Sequence, residues 1–482
     1  MERLFTVLLQ TVRPAAREMY LRCDNQTVST DTYFGCFDCR AYARHTDIHT
    51  VRACAKGNSI RLIHVDRNGR HSLIGEGETV DAALAKYRNG YLYMEWSAGD
   101  APEAVWYEGA GNTRPVKITI IICTFRRETT VQKIMELLSV TIQNDPLLKS
   151  CVDVLCIDNG QTLKEVPACV RLISNPNYGG SGGYARGMME AGECTHFWLM
   201  DDDIEFEPAI LRRVVTFLKY RKQETLHLAA GMFSFEQPTI QYEATAVFSG
   251  YTFHSNCAEL DFTDSRSLLM NRIPVNSRNL YSGWWSMVML NRGELPMPFF
   301  IMLDDAEYGL RGQDYAVMNG FGVWHEAFSN KANAWKEYYT TRNMLIIQSM
   351  YPDLGHSAFM TMSLRLIKSL AYDDPKCMEA VLKGLEDFLE GADAFRSADP
   401  VSQHDMIVRS FGSILKPDVR RKNMLRMAAK NLWHNWHSVG LCIKGMRLLR
   451  GNRRNSDWSS MKTKAFWTEY LKLKPYDRGE NA

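Results

Sequence analysis

Hydrophobic residues form short, uninterrupted runs through the middle of the chain, and each run ends on polar residues. The runs 116–123 and 152–157 are rich in β-branched side chains, and the run 197–200 is apolar throughout. Runs of this length and composition predict strands that are buried on both faces. Helical patterns follow, beginning near Val131 and near Pro208. The alternation of strand, turn and helix predicts an α/β fold with a doubly wound, Rossmann-like parallel sheet.

The pattern differs on either side of this central region. Segments 59–65 and 91–96 alternate between apolar and polar residues and are separated by Gly, Asn and Asp turns, which predicts a small antiparallel β-sandwich. The residues after about Gly355 predict helices. We therefore divide the chain into an N-terminal β-sandwich (1–112), a central α/β domain (113–354) and a C-terminal helical, basic region (355–482).

Three aspartates follow the strand predicted at 197–200. Ligands of open α/β sheets bind at the carboxyl ends of strands. Asp201 and Asp203 are two residues apart, so on extended backbone both carboxylates point the same way and suit a shared divalent cation, whereas Asp202 faces the other way. The alternative is a solvated acidic loop in which one Asp caps the next helix. His325, at the end of another apolar run, is either a third metal ligand or a structural histidine.

A second acidic pair follows the apolar run 299–303. Asp304 and Asp305 enter a predicted helix, where carboxylates often serve only as caps. The alternative is sugar chemistry, in which one carboxylate accepts a hydroxyl proton. Trp284 and Trp285, which precede another apolar strand, favour this second interpretation because aromatic faces stack on sugar rings.

Two turns add weaker signals. The run Gly179-Gly180-Ser181-Gly182-Gly183 predicts a turn whose backbone lies close to a diphosphate or sugar, although glycine-rich turns are common. Asp158 ends the strand predicted at 152–157, a position suited to contact with a uracil or ribose.

These motifs together resemble a known family. The segments CTFRRE, IDNG, NPNYGGSGGYARG, MDDDIEFEP, GWWSMV, FFIMLDDAEYGLRG, GVWHEAF and YYTTRN, in this order, are similar to the UDP-galactofuranose-dependent galactofuranosyltransferases of the galactan-polymerase type. These enzymes are inverting, metal-dependent transferases with a GT-A fold. The similarity extends from about residue 116 to 350, and the segment TYFGCF near residue 32 resembles their N-terminal β-domain. The DDAEYGLR block and the WW pair are specific, whereas the DDD and glycine motifs occur in many relatives.

The resemblance implies roles for individual residues. The uridine end would be held by Phe125, Arg127 and Asp158. The diphosphate and donor sugar would be lined by Asn177, Gly179, Gly180, Ser181, Gly182 and Gly183, with Asp202 counted among the nucleotide-sugar contacts. Mn²⁺ or Mg²⁺ would be bound by Asp201, Asp203 and His325. Asp305 would be the general base, and the acceptor site would be shaped by Trp284, Trp285, Asp304 and Glu307.

The function implied is transfer of galactofuranose from UDP-galactofuranose to a hydroxyl of a cell-surface glycan, with a lipid-linked acceptor expected. Two alternatives stay open: a transferase of the same fold that uses another nucleotide sugar, such as a rhamnosyltransferase, and a non-catalytic glycan-binding protein. A metal motif together with a separate carboxylate pair speaks against the second, because a lectin needs neither. The chain is shorter than the family's processive polymerases, and acceptor linkage, processivity and homo-oligomerisation stay open.

Charge adds a hypothesis about location. The formal net charge is only +2, which does not indicate nucleic-acid binding. Between Arg409 and Arg454, however, there are twelve Lys or Arg residues and one acid, interleaved with Leu, Met and Trp. This composition is typical either of basic amphipathic helices on an anionic membrane surface or of helices that pack on the protein and expose a basic face. No signal peptide is evident, so we expect a cytoplasmic enzyme, with a peripheral position on the inner face of the membrane as one interpretation.

The cysteines are interpreted as reduced thiols. Cys36 and Cys39 form a CxxC pair with Cys23 and Cys54 nearby, which is one way to build a four-cysteine zinc site. The outer spacings are irregular and a second CxxC is lacking, so we expect ordinary thiols in a reducing compartment.

Overall fold

The computed structural model describes residues 1–9, 13–249, 252–274, 277–312, 314–326, 333–354, 357–371, 374–412, 425, 428–429, 440–441, 443–445 and 457–473. The strands, in chain order, are β1 (Glu2–Val7), β2 (Arg22–Cys23), β3 (Thr27–Ser29), β4 (Ile48–Lys56), β5 (Ile60–Asp66), β6 (His71–Gly77), β7 (Thr79–Ala83), β8 (Gly90–Ser97), β9 (Ala104–Gly111), β10 (Ile118–Thr124), β11 (Val152–Asp158), β12 (Val170–Ser174), β13 (His196–Asp201), β14 (Glu205–Phe206), β15 (Leu226–Ala229), β16 (Gly231–Ser234), β17 (Ile240–Glu243), β18 (Thr245–Phe248), β19 (Phe253–Asn256), β20 (Leu260–Asp261), β21 (Leu280–Tyr281), β22 (Ser286–Leu290), β23 (Asp314–Ala316) and β24 (Gly322–His325). The α-helices are α1 (Cys39–His45), α2 (Leu84–Tyr87), α3 (Glu128–Gln143), α4 (Pro146–Cys151), α5 (Gly179–Glu190), α6 (Ala209–Lys219), α7 (Arg266–Met270), α8 (Asp304–Gly309), α9 (Ala334–Met350), α10 (Ala358–Ala371), α11 (Pro375–Glu390), α12 (Ala392–Ser397), α13 (Pro400–Phe411) and α14 (Lys464–Tyr470).

A seven-stranded sheet lies at the centre of the molecule, with strand order β12-β11-β10-β13-β22-β15-β23. The strands β12, β11, β10 and β13 are mutually parallel. Strand β22 runs antiparallel to both of its neighbours, and β15 and β23 are parallel. This order, with one reversed strand inside a parallel sheet, is that of the GT-A fold. The α/β prediction is therefore confirmed.

Alternate residues of β10 face opposite layers of the molecule, as period-two side-chain geometry requires. Ile120 and Ile122 are fully buried in the same core as the apolar face of α3. Ile121 is fully buried on the other side, with Tyr184 and Ala185 of α5. Helices therefore cover both faces of the sheet, which explains why its strands are continuous apolar runs.

A smaller, five-stranded sheet pairs the segment that follows the DDD motif with a strand that is distant in the sequence. Its order is β14-β24-β16-β17-β20, and β14 pairs antiparallel with β24 so that Glu205 lies opposite Trp324. A third, three-stranded sheet has the order β19-β18-β21. The β14–β24 pairing brings the residue after Trp324 next to the segment that follows β13.

The N-terminal strands form two antiparallel sheets, β1-β9-β4-β7 and β2-β3-β8-β5-β6, which share one apolar core. The predicted β-sandwich is therefore confirmed. The TYF segment between β3 and α1 packs on the central region, where the Tyr33 hydroxyl donates a hydrogen bond to the Phe321 carbonyl at 2.7 Å. Arg213 of α6, which is buried, donates to the carbonyls of Phe34 (2.7 Å) and Asn319 (2.9 Å). The two regions are thus joined by buried hydrogen bonds, and the division into three domains stays a prediction.

The C-terminal helices pack against α9 and against the central sheet. Leu345 of α9 shares a buried cluster with Met362 of α10 and Val381 of α11. Helix α14 returns to the central domain: Trp467 is fully buried, and its indole N–H donates to the Pro296 carbonyl at 2.9 Å. Among the described residues, no helix is both long and apolar enough to span a bilayer.

Most of the basic stretch from Arg409 to Arg454 lies outside the described residues. The membrane-surface interpretation of that stretch therefore stays a prediction.

The CxxC pair lies in the buried interior of the N-terminal region. Cys36 and Cys39 are fully buried, whereas Cys23 is exposed. Burial raises the pKa of both buried thiols well above the ordinary value. These surroundings are those of small apolar core side chains, and the role of the pair stays a prediction.

Candidate functional site

The register of the central sheet brings the predicted site residues to one edge. Thr124 pairs with Asp158, and Cys123 pairs with Asp201, so β10, β11 and β13 all end at the same level. Strand β22 is antiparallel and begins opposite Met200, which places the preceding Trp284 and Trp285 at this edge as well. The carboxyl edge of the sheet is the place where open α/β folds bind ligands.

Three side chains at this edge have the spacing of a metal site. Asp201, Asp203 and His325 each offer a ligand atom, and these atoms lie within 4.8 Å of one another. The His325 Nε2 lies 3.2 Å from the Asp203 Oδ1. The other ring nitrogen, Nδ1, lies 2.6 Å from the Glu326 carbonyl oxygen. A hydrogen bond from Nδ1 to a carbonyl directs the Nε2 lone pair toward a metal, as is common in metal-binding histidines.

The electrostatics of this triad also favour a cation. Burial, and then the charge of Asp203, raise the pKa of Asp201 to about 7. Burial lowers the pKa of His325, but the hydrogen bond to Asp203 and the two carboxylate charges outweigh it, so the pKa is raised. Buried like charges at this separation are stabilised when they share a cation.

Asp202 points away from the triad, as expected, and contacts the end of β10. Its carboxylate accepts hydrogen bonds from the Thr124 hydroxyl at 2.7 Å and from Arg127 at 2.9 Å. Arg127 also forms an ion pair with Asp203 at 2.6 Å. The arginine that the resemblance places at the uridine end therefore lies beside the metal triad.

Phe125 and Asp158, the other two residues that the resemblance assigns to uridine binding, differ in exposure. Phe125 follows β10 and is 43% exposed, which leaves a ring face open for stacking. Asp158 is buried, and its two oxygens accept backbone N–H groups from Gly160 (2.9 Å), Thr162 (2.7 Å) and Leu163 (2.8 Å). These hydrogen bonds fix the conformation of the loop after β11. Contact of Asp158 with the nucleotide stays a prediction.

The glycine run is the first turn of helix α5 and not the turn that we predicted. A side chain at Gly183 would lie 2.1 Å from the Cys123 sulfur, and one at Gly182 would lie 2.4 Å from the Tyr178 Cβ. Gly179, with φ of +72°, would clash with the Phe300 carbonyl oxygen at 1.9 Å. Close packing thus explains these three glycines without a ligand.

The neighbours of these glycines also have defined positions. The Asn177 carboxamide oxygen accepts the Gly179 N–H at 3.2 Å. A Cβ placed on Gly180 would lie 3.3 Å from the Asp304 carboxylate, so this part of α5 borders the second acidic pair. The Ser181 hydroxyl accepts the Phe300 N–H at 2.9 Å. Ser181 therefore holds the loop that leads to Asp304.

That loop has an unusual backbone. Phe300, Met302 and Leu303 have φ values of +70°, +67° and +64°. Residues with side chains pay roughly 1–2 kcal/mol each for this left-handed conformation. The chain then enters α8 directly, which sets the direction of the first two side chains, Asp304 and Asp305.

The two carboxylates of this pair differ in their surroundings. Asp304 is buried, and burial together with the charge of Asp305 raises its pKa well above the ordinary value; Asp201 contributes in the same direction. Asp305 is half-buried. Burial raises the pKa of Asp305 to about 6, the N–H of Ala306 opposes that shift, and the charge of Glu243 adds to it. Asp305 is thus the less enclosed member of the pair, and its role as a base stays a prediction.

Glu307 lies in a buried network of hydrogen bonds next to the acidic pair. Its side chain is fully buried and accepts hydrogen bonds from Arg311 Nε at 3.0 Å and from the Tyr351 hydroxyl at 2.8 Å. Arg311 also forms an ion pair with it. These contacts fix the orientation of the carboxylate, and its role in the acceptor site stays a prediction.

The two tryptophans are both buried but have different environments. Trp284 packs on Tyr184, with ring centroids 4.4 Å apart, and its indole N–H has no hydrogen-bond partner among the described residues. This nitrogen is enclosed by protein, so a ligand would reach it only after a rearrangement. The indole N–H of Trp285 is 3.3 Å from the Ala230 carbonyl. Contact of either tryptophan with a sugar stays a prediction.

Two site residues were missed by the sequence reasoning. The Tyr184 hydroxyl donates to the Met200 carbonyl at 2.9 Å and to the Asp201 carboxylate at 3.1 Å. Glu243, at the end of β17, is buried and acts on Asp305 electrostatically. Tyr184 lies in the quoted motif NPNYGGSGGYARG, and its position directly after the glycine run was the available signal. Glu243 had none, because its strand belongs to the smaller sheet.

The chain is similar in sequence to known galactofuranosyltransferases. The chain is 27% identical over 468 residues to the galactofuranosyltransferase GlfT2 of Mycolicibacterium smegmatis, covering 82% of this chain and 71% of that protein. It is 29% identical over 404 residues to GlfT2 of Mycobacterium tuberculosis, covering 73% of this chain and 60% of that protein. No protein-family model matches the chain.

Solved structures resemble the chain only loosely. GalNAc-T7 with UDP, GalNAc and Mn²⁺ has a TM-score of 0.37 and 10% identity, covering 69% of this chain and 59% of that one. Staphylococcus aureus TarS with UDP has a TM-score of 0.34 and 11% identity, covering 69% and 90%. TM-scores this low do not establish the fold, which is instead shown by the strand order of the central sheet. Given its two homologues, the chain is a glycosyltransferase related to the galactofuranosyltransferases.

Proposed function

We propose that this enzyme transfers galactofuranose from UDP-galactofuranose to a hydroxyl of a glycan, with inversion at the anomeric carbon. The proposal rests on one observation: two clusters of acidic side chains lie at the same edge of the central sheet. One is the triad Asp201, Asp203 and His325, and the other is the pair Asp304 and Asp305. The names of the two homologues support the choice of sugar.

The donor set of the triad fits Mn²⁺ or Mg²⁺. Two carboxylates and one imidazole are ligands that suit Mn²⁺, and carboxylates alone suit Mg²⁺. When bound there, the cation would supply positive charge beside the diphosphate of the departing nucleotide. Arg127, which is paired with Asp202 and Asp203, lies at the same place and adds a further positive charge.

Asp305 would act as the general base. In a single displacement, the acceptor oxygen forms a bond to the anomeric carbon while the bond from that carbon to the diphosphate oxygen breaks. The electron pair leaves with UDP, and the hydroxyl proton passes to Asp305. A pKa of about 6 leaves this carboxylate ionised at neutral pH yet basic enough to accept the proton.

Other residues would hold the two substrates. The exposed ring of Phe125 would stack on the uracil. Asn177 and the backbone at Gly180 would line the diphosphate and donor sugar, close to Asp304. Trp284 and Trp285, which lie at the same edge of the sheet, would shape the acceptor site. A lipid-linked acceptor at the cytoplasmic face of a membrane would suit the basic stretch from Arg409 to Arg454.

A donor panel tests the proposal. The purified protein would be incubated with Mn²⁺, a synthetic lipid-linked glycan primer and either UDP-galactofuranose, UDP-galactopyranose or dTDP-rhamnose, and the product mass and released nucleotide would be measured. We expect a gain of one or more hexose units with the furanose donor alone. Transfer from only another donor would refute the choice of galactofuranose, and absence of transfer from every donor despite UDP binding would refute the proposed acceptor.

A further inference from the structure

The motif YYTTRN of helix α9 contacts the backbone of the loop that precedes the catalytic carboxylates. Asn343 is fully buried, and its carboxamide nitrogen donates to the carbonyls of Ile301 (3.1 Å) and Met302 (2.7 Å). Both of its N–H groups are therefore committed to two successive residues of the loop. Its carboxamide oxygen accepts a hydrogen bond from Arg342 Nε at 3.0 Å, which fixes the orientation of the amide.

Arg342 extends this contact by one residue. Its Nη2 donates to the Phe299 carbonyl at 3.0 Å. Its Nη1 is held by the Tyr338 hydroxyl and by the Gln403 side chain, each at 3.1 Å. Three carbonyls of the loop thus receive hydrogen bonds from two adjacent side chains that are themselves fixed by neighbouring groups.

Helix α5 holds the same loop from its other side. The Ser181 hydroxyl accepts the Phe300 N–H at 2.9 Å, and Gly179 leaves room for the Phe300 carbonyl. Between these two supports lie the left-handed residues Phe300, Met302 and Leu303. Such a conformation persists only where its surroundings impose it.

We propose that Asn343, oriented by Arg342, is a positioning residue for the general base. Its two hydrogen bonds keep the loop in the left-handed path from which α8 begins, and that path sets the positions of Asp304 and Asp305 at the start of the helix. Asn343 itself touches no reacting atom. The proposal rests on the transferase function proposed above, because it assigns the positioned carboxylate the role of base.

The test compares Asn343→Leu with a matched control, Gln348→Leu. Gln348 is a buried amide on the same helix, and it donates to the Thr361 hydroxyl at 2.6 Å. The measurements are Tm, UDP affinity with Mn²⁺, the kcat and KM of transfer, and hydrogen–deuterium exchange over residues 299–307. Asn343→Asp keeps the side-chain shape and the bond from Arg342 while removing the two donated bonds, and it replaces Asn343→Leu if that variant does not fold.

We expect the Asn343 variant to lose at least tenfold in kcat, with donor KM and UDP affinity within twofold of wild type, and to exchange at least tenfold faster over residues 299–307. The Gln348 variant should lower Tm with kcat and local exchange unchanged. An equal kcat loss in both variants at equal Tm, or unchanged exchange over 299–307 in the Asn343 variant, overturns the proposal. If wild type transfers no galactofuranose, the proposed function fails, while the exchange data still decide whether Asn343 holds the loop.

Discussion

At the scale of single residues, the metal triad depends on contacts that each of its members makes outside the triad. Tyr184 donates to Asp201, Arg127 pairs with Asp203, and the Glu326 carbonyl contacts the far nitrogen of His325. Partners of this kind orient metal ligands and tune their basicity. The site is thus partly organised before any cation binds.

Replacing Asp203 should therefore remove both a ligand and a partner of His325. We expect Asp203→Ala, and likewise His325→Ala, to reduce Mn²⁺-dependent turnover by about 100-fold or more, because charge on the departing diphosphate is no longer offset. Turnover against Mn²⁺ concentration, together with Mn²⁺ binding by electron paramagnetic resonance, is the measurement. Asp153→Ala, an exposed aspartate near the opposite end of β11, is the control. Full activity of Asp203→Ala in the presence of a chelator would contradict the assignment.

The proposed base predicts a pH profile. A base works only when deprotonated, and the pKa of Asp305 is raised to about 6, so kcat/KM should fall about tenfold for each pH unit below 6. Asp305→Asn should keep UDP affinity and lose transfer by about 100-fold or more, measured at pH 7.5. If that variant turns over normally, the role passes to Asp304, since Glu307 is buried against Arg311.

At the scale of elements, helix α5 and the loop after residue 298 are fitted to each other. The first glycine of α5 has positive φ and lies against the Phe300 carbonyl, while Gly183 and Gly187 allow the helix to approach β10. Gly187 would place a Cβ 2.3 Å from an Ile121 methyl group. The helix therefore reaches the sheet closely enough for Tyr184 to contact Asp201.

A methyl group at Gly179 should disturb this fit twice. It would be strained at a φ of +72°, and its Cβ would meet the Phe300 carbonyl oxygen. We expect Gly179→Ala to lower the free energy of unfolding by at least about 1 kcal/mol and to reduce kcat by displacing the carboxylate loop. Thermal unfolding and initial rates measure both effects. Gly192→Ala, which meets no atom within 4 Å, should change neither, and equal behaviour of the two variants would contradict this account.

At the scale of the whole molecule, the N-terminal sheets and the central domain are joined by buried aromatic and polar contacts. Phe34 packs on Trp324, with ring centroids 5.6 Å apart, and Trp324 directly precedes His325, a residue of the proposed metal site. The Tyr20 hydroxyl donates to the Glu207 carboxylate at 2.8 Å across the same junction. The N-terminal region therefore packs against the strand that carries His325.

Glu207, which lies at this junction, should make the free energy of unfolding depend on pH. Burial raises the pKa of Glu207 from 4.5 to about 7, so between those values the folded protein retains a proton that the unfolded chain has released. The free energy of unfolding therefore falls as pH rises through this window, by about 1.4 kcal/mol per unit at most.

Glu207→Gln removes the titrating group and keeps an oxygen that accepts the Tyr20 hydroxyl. We expect its chemical unfolding between pH 4.5 and 8 to depend less on pH than that of wild type. Glu205→Gln, at an exposed position two residues away, is the control. A wild-type slope retained in Glu207→Gln would show that the dependence arises elsewhere.

Much of the catalytic sheet could be predicted from the sequence. The apolar runs that became β10, β11 and β13 are continuous because both faces are covered, and the polar residues that end them lie at one edge because parallel strands share a direction. Strand β13 ends at Asp201, and Asp202 and Asp203 lie in the turn that follows, so the extended segment predicted for all three aspartates is wrong. The turn nevertheless brings ligand atoms of Asp201 and Asp203 within 4.8 Å of one another. The conformation of the glycine run was not predictable in this way, because its glycines are required by packing against residues as distant as Phe300.

The sequence by itself thus determined the strands, their order along the chain and the acidic residues at their ends, since burial and backbone period act over a few neighbouring residues. Only the tertiary structure decided which of these residues act together. His325 reaches Asp203 because β14 pairs with β24, Glu307 turns inward to the Tyr351 hydroxyl, and Asn343 meets the loop before Asp304. Such contacts join residues separated by tens to hundreds of positions, and strand pairing and helix packing set them, not local pattern.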